Sequence, residues 1–346
     1  MLHFDSDYMA GAHKQVLKAL NETNYLDTPG YGEDEFTKGA KKRILEVCGL
    51  QKGAVWFLVG GTQTNLVVID RLLSRNDGVV ATDTAHINVH ESGAIEATGH
   101  KILTLPNHEG KLMADDLRSL MQSYNDDDTR EHMVRPAMVY ISFPTELGTI
   151  YSKDELLSLK KECEVNELPL FIDGARLAYG LMAQGNELTI KEIAEIADVF
   201  YIGGTKCGAM FGEAVVTKHP ERLPRFMSLM KLHGGLLAKG RLLGVQFDTL
   251  FKDNLYWEIG KYAVALAQEL KEGFKSRGFR MLIDSPTNQQ FVILPNNVID
   301  GLSREATFEY WGCRGEKESA VRFVTSWNTP EDAIKKLMAC LDEIVG

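Results

Sequence analysis

Two stretches decide the fold: Ala197-Asp198-Val199-Phe200-Tyr201-Ile202-Gly203-Gly204-Thr205-Lys206-Cys207-Gly208, and upstream of it Leu170-Phe171-Ile172-Asp173-Gly174-Ala175-Arg176. In each, a short apolar run ends beside glycine and a charged side chain, Lys206 in the first and Asp173 in the second. Apolar runs of this length bounded by glycine read as buried strands. An ion at the end of such a strand needs a partner or a task, because burying an isolated charge is strongly unfavourable.

Comparable runs recur on both sides: Ala54 to Val59, Val79 to Thr82, Lys101 to Leu105, Ala137 to Ser142 and Glu213 to Thr217. Amphipathic stretches separate them, at Leu66 to Ser74, Ala114 to Tyr124, Ser152 to Asn166 and Ile190 to Ala197. Alternation of this kind predicts an α/β fold, a mainly parallel seven-stranded sheet flanked by helices. Ser152 with Glu155 three positions on is a capping box and marks one helix start. After a long amphipathic stretch, Trp257 to Ser276, the pattern changes to strands at Gln289 to Leu294, Thr307 to Tyr310 and Ala320 to Thr325, then a last helix from Pro330 to Ile344. This predicts an N-terminal arm and large domain over 1–250 and a smaller C-terminal α+β domain over 251–346.

Composition narrows the function classes. With 346 residues, 44% hydrophobic and 25% charged, the chain is an ordinary globular protein. A net charge of −10 argues against nucleic acid or an anionic membrane surface as partner. The five cysteines are scattered and include no C-x-x-C pair, as expected of reduced thiols in a cytoplasm without a zinc framework. No run approaches the length of a membrane span, and Met1-Leu2-His3-Phe4-Asp5 lacks the features of a signal peptide.

At the carboxyl ends of parallel strands lies the ligand crevice. Asp173 and Lys206 both belong there. A lysine able to form a Schiff base and a carboxylate able to pair with a pyridinium nitrogen are the two groups that pyridoxal phosphate chemistry demands. Val59-Gly60-Gly61-Thr62-Gln63-Thr64-Asn65 follows a strand and opens a helix, so it reads either as a plain tight turn or as a backbone cradle for a phosphate. Asp173 and Arg176 alone read equally as a strand-end ion pair. His86 and His90 share a helical face, but the order is not H-E-x-x-H and no third ligand follows, so no metal is expected. His86 can lie against a flat ring, with Glu91 behind it, or simply pack at a helix start.

In these strings, with Asp5-Ser6-Asp7, Tyr31-Gly32-Glu33-Asp34, Glu91-Ser92-Gly93 and Val321-Arg322-Phe323-Val324-Thr325, the chain resembles the low-specificity threonine aldolases. These belong to the β-eliminating lyase group, pyridoxal phosphate enzymes of the aspartate-aminotransferase-like fold. The resemblance implies that Lys206 carries the cofactor, Asp173 pairs with its ring nitrogen, Gly61 and Thr62 hold its phosphate, and His86 stacks on its ring. Ser6, Arg176 and Arg322 are implied to bind the amino-acid carboxylate, and Tyr31 to line the site, often across a subunit boundary of a homodimer or homotetramer.

The implied reaction is cleavage of a β-hydroxy-L-amino acid of the threonine or allo-threonine type to glycine and an aldehyde, with His86, or a water it holds, as base and Glu91 assisting. The alternative on the same cofactor residues is a β-eliminating lyase or aminotransferase acting on another amino acid. Two departures stand out. The family's Thr-His-Asn string is replaced by Ser142-Phe143-Pro144-Thr145-Glu146-Leu147-Gly148, and its arginine by Leu237, which leaves Lys239 or Arg241 to take over as the phosphate's cationic partner.

Overall fold

The computed structural model describes residues 1–346. A short strand β1 (Leu2–His3) begins the chain, and the runs read as strands follow: β2 (Ala54–Leu58), β3 (Asp77–Thr82), β4 (Lys101–Leu105), β5 (Arg135–Ser142), β6 (Leu170–Asp173), β7 (Val199–Gly203) and β8 (Glu213–Thr217). These last seven form one sheet in the order β2-β8-β7-β6-β5-β3-β4. All neighbours are parallel except at β8, which runs antiparallel to both β2 and β7.

Strands β3, β6, β7 and β8 are buried along their whole length, as central strands covered on both faces must be. The period of two sorts their residues. Val139, Ile141, Ile172, Phe200 and Ile202 enter the core on one face, and Met138, Tyr140, Phe171, Val199 and Tyr201 enter the core on the other. Strand order turns between β3 and β5, since β4 lies outside β3 while β6 and β7 continue beyond β5. That switch opens a crevice at the carboxyl ends.

The C-terminal strands are β9 (Arg280–Met281), β10 (Gln289–Pro295), β11 (Ala306–Thr307), β12 (Glu309–Tyr310) and β13 (Glu318–Val324). Four of them make an antiparallel sheet, β12-β13-β10-β9. The expected strand Thr307 to Tyr310 is divided: β11 pairs in parallel with β1 at the N-terminus, β12 pairs with β13, and Phe308 between them packs at a tilt against Phe323 with centroids 4.6 Å apart. One long helix, Leu255–Lys275, serves both cores, with Ile259 and Ala263 in the large one and Leu266, Leu270 and Phe274 in the small one.

The capping box is present, with Glu155 N–H donating to Ser152 Oγ (3.1 Å) and Ser152 N–H to Glu155 Oε2 (2.8 Å). Sequence reading passed over the helices Lys14–Thr23, Glu35–Val47 and Arg241–Phe251. The second of these buries Thr37, Ala40 and Ile44 along one face, and Asp34 caps it through Thr37 N–H at 2.8 Å.

Candidate active site

A cavity of about 230 Å³ opens at the carboxyl edge of the sheet. The segments after β2, β3, β5, β6 and β7 line it with Gly60–Thr62, His86, Pro144–Glu146, Asp173, Arg176 and Lys206. Glu213 also lines it, from the first position of β8. Because β8 is antiparallel, its start and not its end faces the crevice, and Glu213 stands opposite Leu58 and Gly203.

Asp173 is buried and accepts four hydrogen bonds. Oδ1 accepts from Tyr201 Oη (2.5 Å) and Ala175 N–H (2.9 Å), and Oδ2 from Tyr140 Oη (2.6 Å) and Asn65 Nδ2 (3.1 Å). Burial by itself would raise its pKa, but the His86 ring, the two phenols and the Ala175 N–H together hold it below the ordinary carboxylate value. The tyrosines reach it because Tyr140 and Tyr201 share a sheet face next to the strand that ends at Asp173. Close approach at this edge requires glycine, since a Cβ at Gly174 would lie 2.0 Å from Tyr201 O, and one at Gly203 would lie 2.2 Å from Ala175 O.

Lys206 follows β7 and lines the same cavity. Burial, then the Arg176 charge, lowers its pKa against the opposing pull of Asp7, Asp173 and Glu213. Glu213 anchors the turn that presents it: Oε2 accepts from Gly204 N–H (2.9 Å) and Oε1 from Thr205 Oγ1 (2.8 Å). Burial pushes the Glu213 carboxyl up to about 8, in spite of those two donors and the Lys206 charge.

The helix Gly61–Leu72 starts at the cavity wall, where Gly60 is extended and no side chain caps the first turn. Its end therefore offers backbone donors and positive dipole to an anion. Gln63 does not fill that space, because its side chain accepts from Val59 N–H (3.3 Å) and donates to His233 O (3.0 Å). A carboxylate for a ring nitrogen, an amine and an uncapped helix end converge on one cavity, and so the residues fit pyridoxal phosphate.

His86 sits at the start of a one-turn helix, His86–Val89, and its Nδ1 lies 2.8 Å from Glu91 Oε1. Asn65 Nδ2 also donates to that oxygen (2.8 Å), which ties the His86–Glu91 pair to Asp173. Glu146, absent from the sequence-predicted set, also faces the cavity. Its Oε1 accepts from Ser142 Oγ (2.6 Å) and His86 N–H (2.9 Å). The signal available was the charged residue in the very string that departs from the family pattern.

The remaining predicted residues are placed as follows. Arg176 lines the cavity with two of its nitrogens on Asp7, and Asp7 also accepts from Asn288 Nδ2 (3.0 Å). Ser6 is buried beside it but does not line the cavity. Arg322 is held by Gln289 Oε1 (3.0 Å) and by Glu309, its cross-strand neighbour. Tyr31 is not brought to the cavity of its own chain; Lys231 lies over its ring at 4.6 Å. Arg241 donates to the carbonyls of Thr23 and Asn24, within its own chain.

The family profile described as "Beta-eliminating lyase" matches residues 3–296. A low-specificity L-threonine aldolase from a Pseudomonas species is 28% identical over 99% of this chain and 98% of its own length. A solved structure of Leishmania major threonine aldolase superposes with a TM-score of 0.97 at 39% identity, covering 100% of both chains. At the level of fold alone, an aspartate aminotransferase mutant of Thermus thermophilus matches with a TM-score of 0.71 at 14% identity, over 99% of this chain and 91% of the other. The α/β architecture of pyridoxal phosphate enzymes of fold type I is therefore the architecture of this chain.

Proposed function

Because this chain belongs to the beta-eliminating lyase family, and within it to the threonine aldolases, we propose that it cleaves a β-hydroxy-L-amino acid of the threonine or allo-threonine type to glycine and an aldehyde with pyridoxal phosphate. The observation that carries this reading is the convergence of Asp173, with its four donors, and Lys206 on a cavity walled by an uncapped helix end.

Lys206 would hold the cofactor covalently, Asp173 would pair with its ring nitrogen, Gly61 and Thr62 would hold its phosphate, and His86 would lie against its ring with Glu91 fixing the imidazole. The bound cofactor supplies an electron sink for the pair released when a bond to Cα breaks. Arg176 and Arg322, with Ser6 nearby, orient the substrate by its carboxylate, and the orientation selects which bond breaks. Support for Arg322 comes from its Nε, a buried donor with no partner in the chain. Asp7 and Glu309 offset the charge of the two arginines in the absence of substrate.

We place the boundary between a cofactor domain and the small C-terminal domain near residue 250, just before the long helix that serves both cores. A homo-oligomer is favoured by the exposed Tyr25 (93%) and Leu232 (76%), which belong to adjoining segments linked by the Tyr31 N–H bond to Ala238 O and by Arg241. No helix is long and apolar enough to cross a membrane; with all five cysteines free, a cytoplasmic location is consistent.

Purified protein should show the cofactor's visible absorbance and release glycine and acetaldehyde from L-threonine. Keto-acid formation without glycine would reject aldol cleavage in favour of the aminotransferase alternative.

A further inference from the structure

Resting on the aldol-cleavage reading, we infer that Glu146, rather than His86, is the catalytic residue that receives the proton of the substrate's β-hydroxyl. Three carboxylates line the cavity: Asp173, Glu213 and Glu146. Both oxygens of Asp173 and both of Glu213 already accept hydrogen bonds. Glu146 differs. Ser142 Oγ and the His86 N–H both donate to Oε1, whereas no other residue donates to Oε2, which can accept from a ligand hydroxyl.

His86 is less suited to the task. Its Nδ1 is taken by Glu91 Oε1 at 2.8 Å, which leaves only Nε2 to receive a proton. Glu146 is also held rigidly. Its loop is pinned by Thr145 Oγ1 against Thr149 Oγ1 (2.6 Å), and by Ser285 and Thr287 of the C-terminal region, whose hydroxyls both donate to Gly148 O at 3.0 Å. Gly148 has φ +73°, and a Cβ there would lie 2.4 Å from Ser285 Oγ, so the loop is shaped around glycine. Burial pushes the Glu146 carboxyl above its ordinary value, with Asp173 adding to the rise and Ser142 Oγ, its own backbone N–H and the His86 N–H opposing it. A carboxylate so raised is a better proton acceptor near neutral pH.

The step balances without an oxidant or reductant. The hydroxyl proton passes to Glu146 Oε2, the O–H pair becomes the second bond of the aldehyde carbonyl, and the Cα–Cβ bond breaks with its pair left on Cα. A proton then adds at Cα, completing glycine, and Glu146 loses its proton to solvent.

The test compares two reactions of the holoenzyme. Cleavage of L-threonine needs a hydroxyl-proton acceptor, whereas exchange of the glycine α-proton with deuterated solvent, followed by NMR, does not. Glu146→Gln keeps the side-chain shape but cannot take the proton. It should lower the threonine-cleavage kcat by at least about a hundredfold, within the range of general acid–base contributions, while glycine exchange stays within about twofold. Equal losses in both reactions, or loss in neither, would overturn the assignment. If the Gln variant fails to retain cofactor absorbance, Glu146→Asp is put through the same comparison, and equal losses again overturn it. Wild-type enzyme that exchanges glycine but never cleaves threonine would instead reject the underlying reading.

Discussion

Asp7 holds Arg176 through two hydrogen bonds, from Nε to Oδ2 at 2.7 Å and from a terminal nitrogen to Oδ1 at 3.1 Å. The acid comes from the N-terminal arm and the base from the loop after β6, 169 positions apart in the chain. Both side chains are nearly excluded from solvent, at 0% and 13% exposure. The Arg176 guanidinium is therefore one half of a fixed pair, and in the carboxylate-binding role we propose for it, it is oriented before binding rather than by it.

Removal of the acid leaves a buried, uncompensated guanidinium. Asp7→Ala should lower unfolding free energy by about 3 kcal/mol, the scale for breaking one side of a buried pair, as read by denaturant melts of the holoenzyme. An unchanged midpoint would show that the pair contributes nothing to stability.

The phenols around Asp173 make a second prediction. Tyr201→Phe removes the 2.5 Å donor to Oδ1, and hydrogen bonds to charged groups contribute about 1.5–3 kcal/mol. Cofactor affinity, measured by titrating apoprotein, should fall at least about tenfold. Loss of that donor also removes one of the contacts holding the Asp173 pKa down. Affinity equal to wild type would show that Tyr140, Asn65 and Ala175 suffice.

Lys206 sets a pH dependence. Its pKa is lowered from 10.5, by burial first and then by the Arg176 charge, so the neutral amine is present at lower pH than for a free lysine. Cofactor loading should therefore rise with pH and level off with a midpoint below 10.5. The slope must be positive, since deprotonation creates the nucleophile. Lys206→Ala should abolish the reducible cofactor bond altogether. A midpoint at the ordinary lysine value, or a bond that survives the substitution, would place the anchor elsewhere.

Arg322 is the fourth case. Gln289 and Glu309 occupy its terminal nitrogens, and its unpartnered Nε is the donor left for a carboxylate. Arg322→Ala should leave cofactor absorbance intact and reduce kcat/KM for threonine cleavage by about a hundredfold, corresponding to roughly 2–3 kcal/mol. Near-normal kinetics would remove the small domain from substrate binding.

Asp173, Lys206 and the Gly60-Gly61 turn were legible in the sequence alone because each follows an apolar run bounded by glycine, and the carboxyl ends of such strands face one crevice. Periodicity also located the seven strands of the main sheet and the long helix Leu255–Lys275. What it could not supply was direction and distance. Glu213 reaches the cavity only because β8 runs antiparallel, which local pattern does not encode. Tyr140 and Tyr201 read as ordinary core residues, and nothing in their own runs reveals that both hydroxyls converge on Asp173. Asp7 with Arg176, and Glu146 with the His86 N–H, join segments far apart in the chain. Strand identity depends on a few neighbouring residues, so the sequence determined it; the pairing of charges depends on where distant segments pack, and only the tertiary structure decided that.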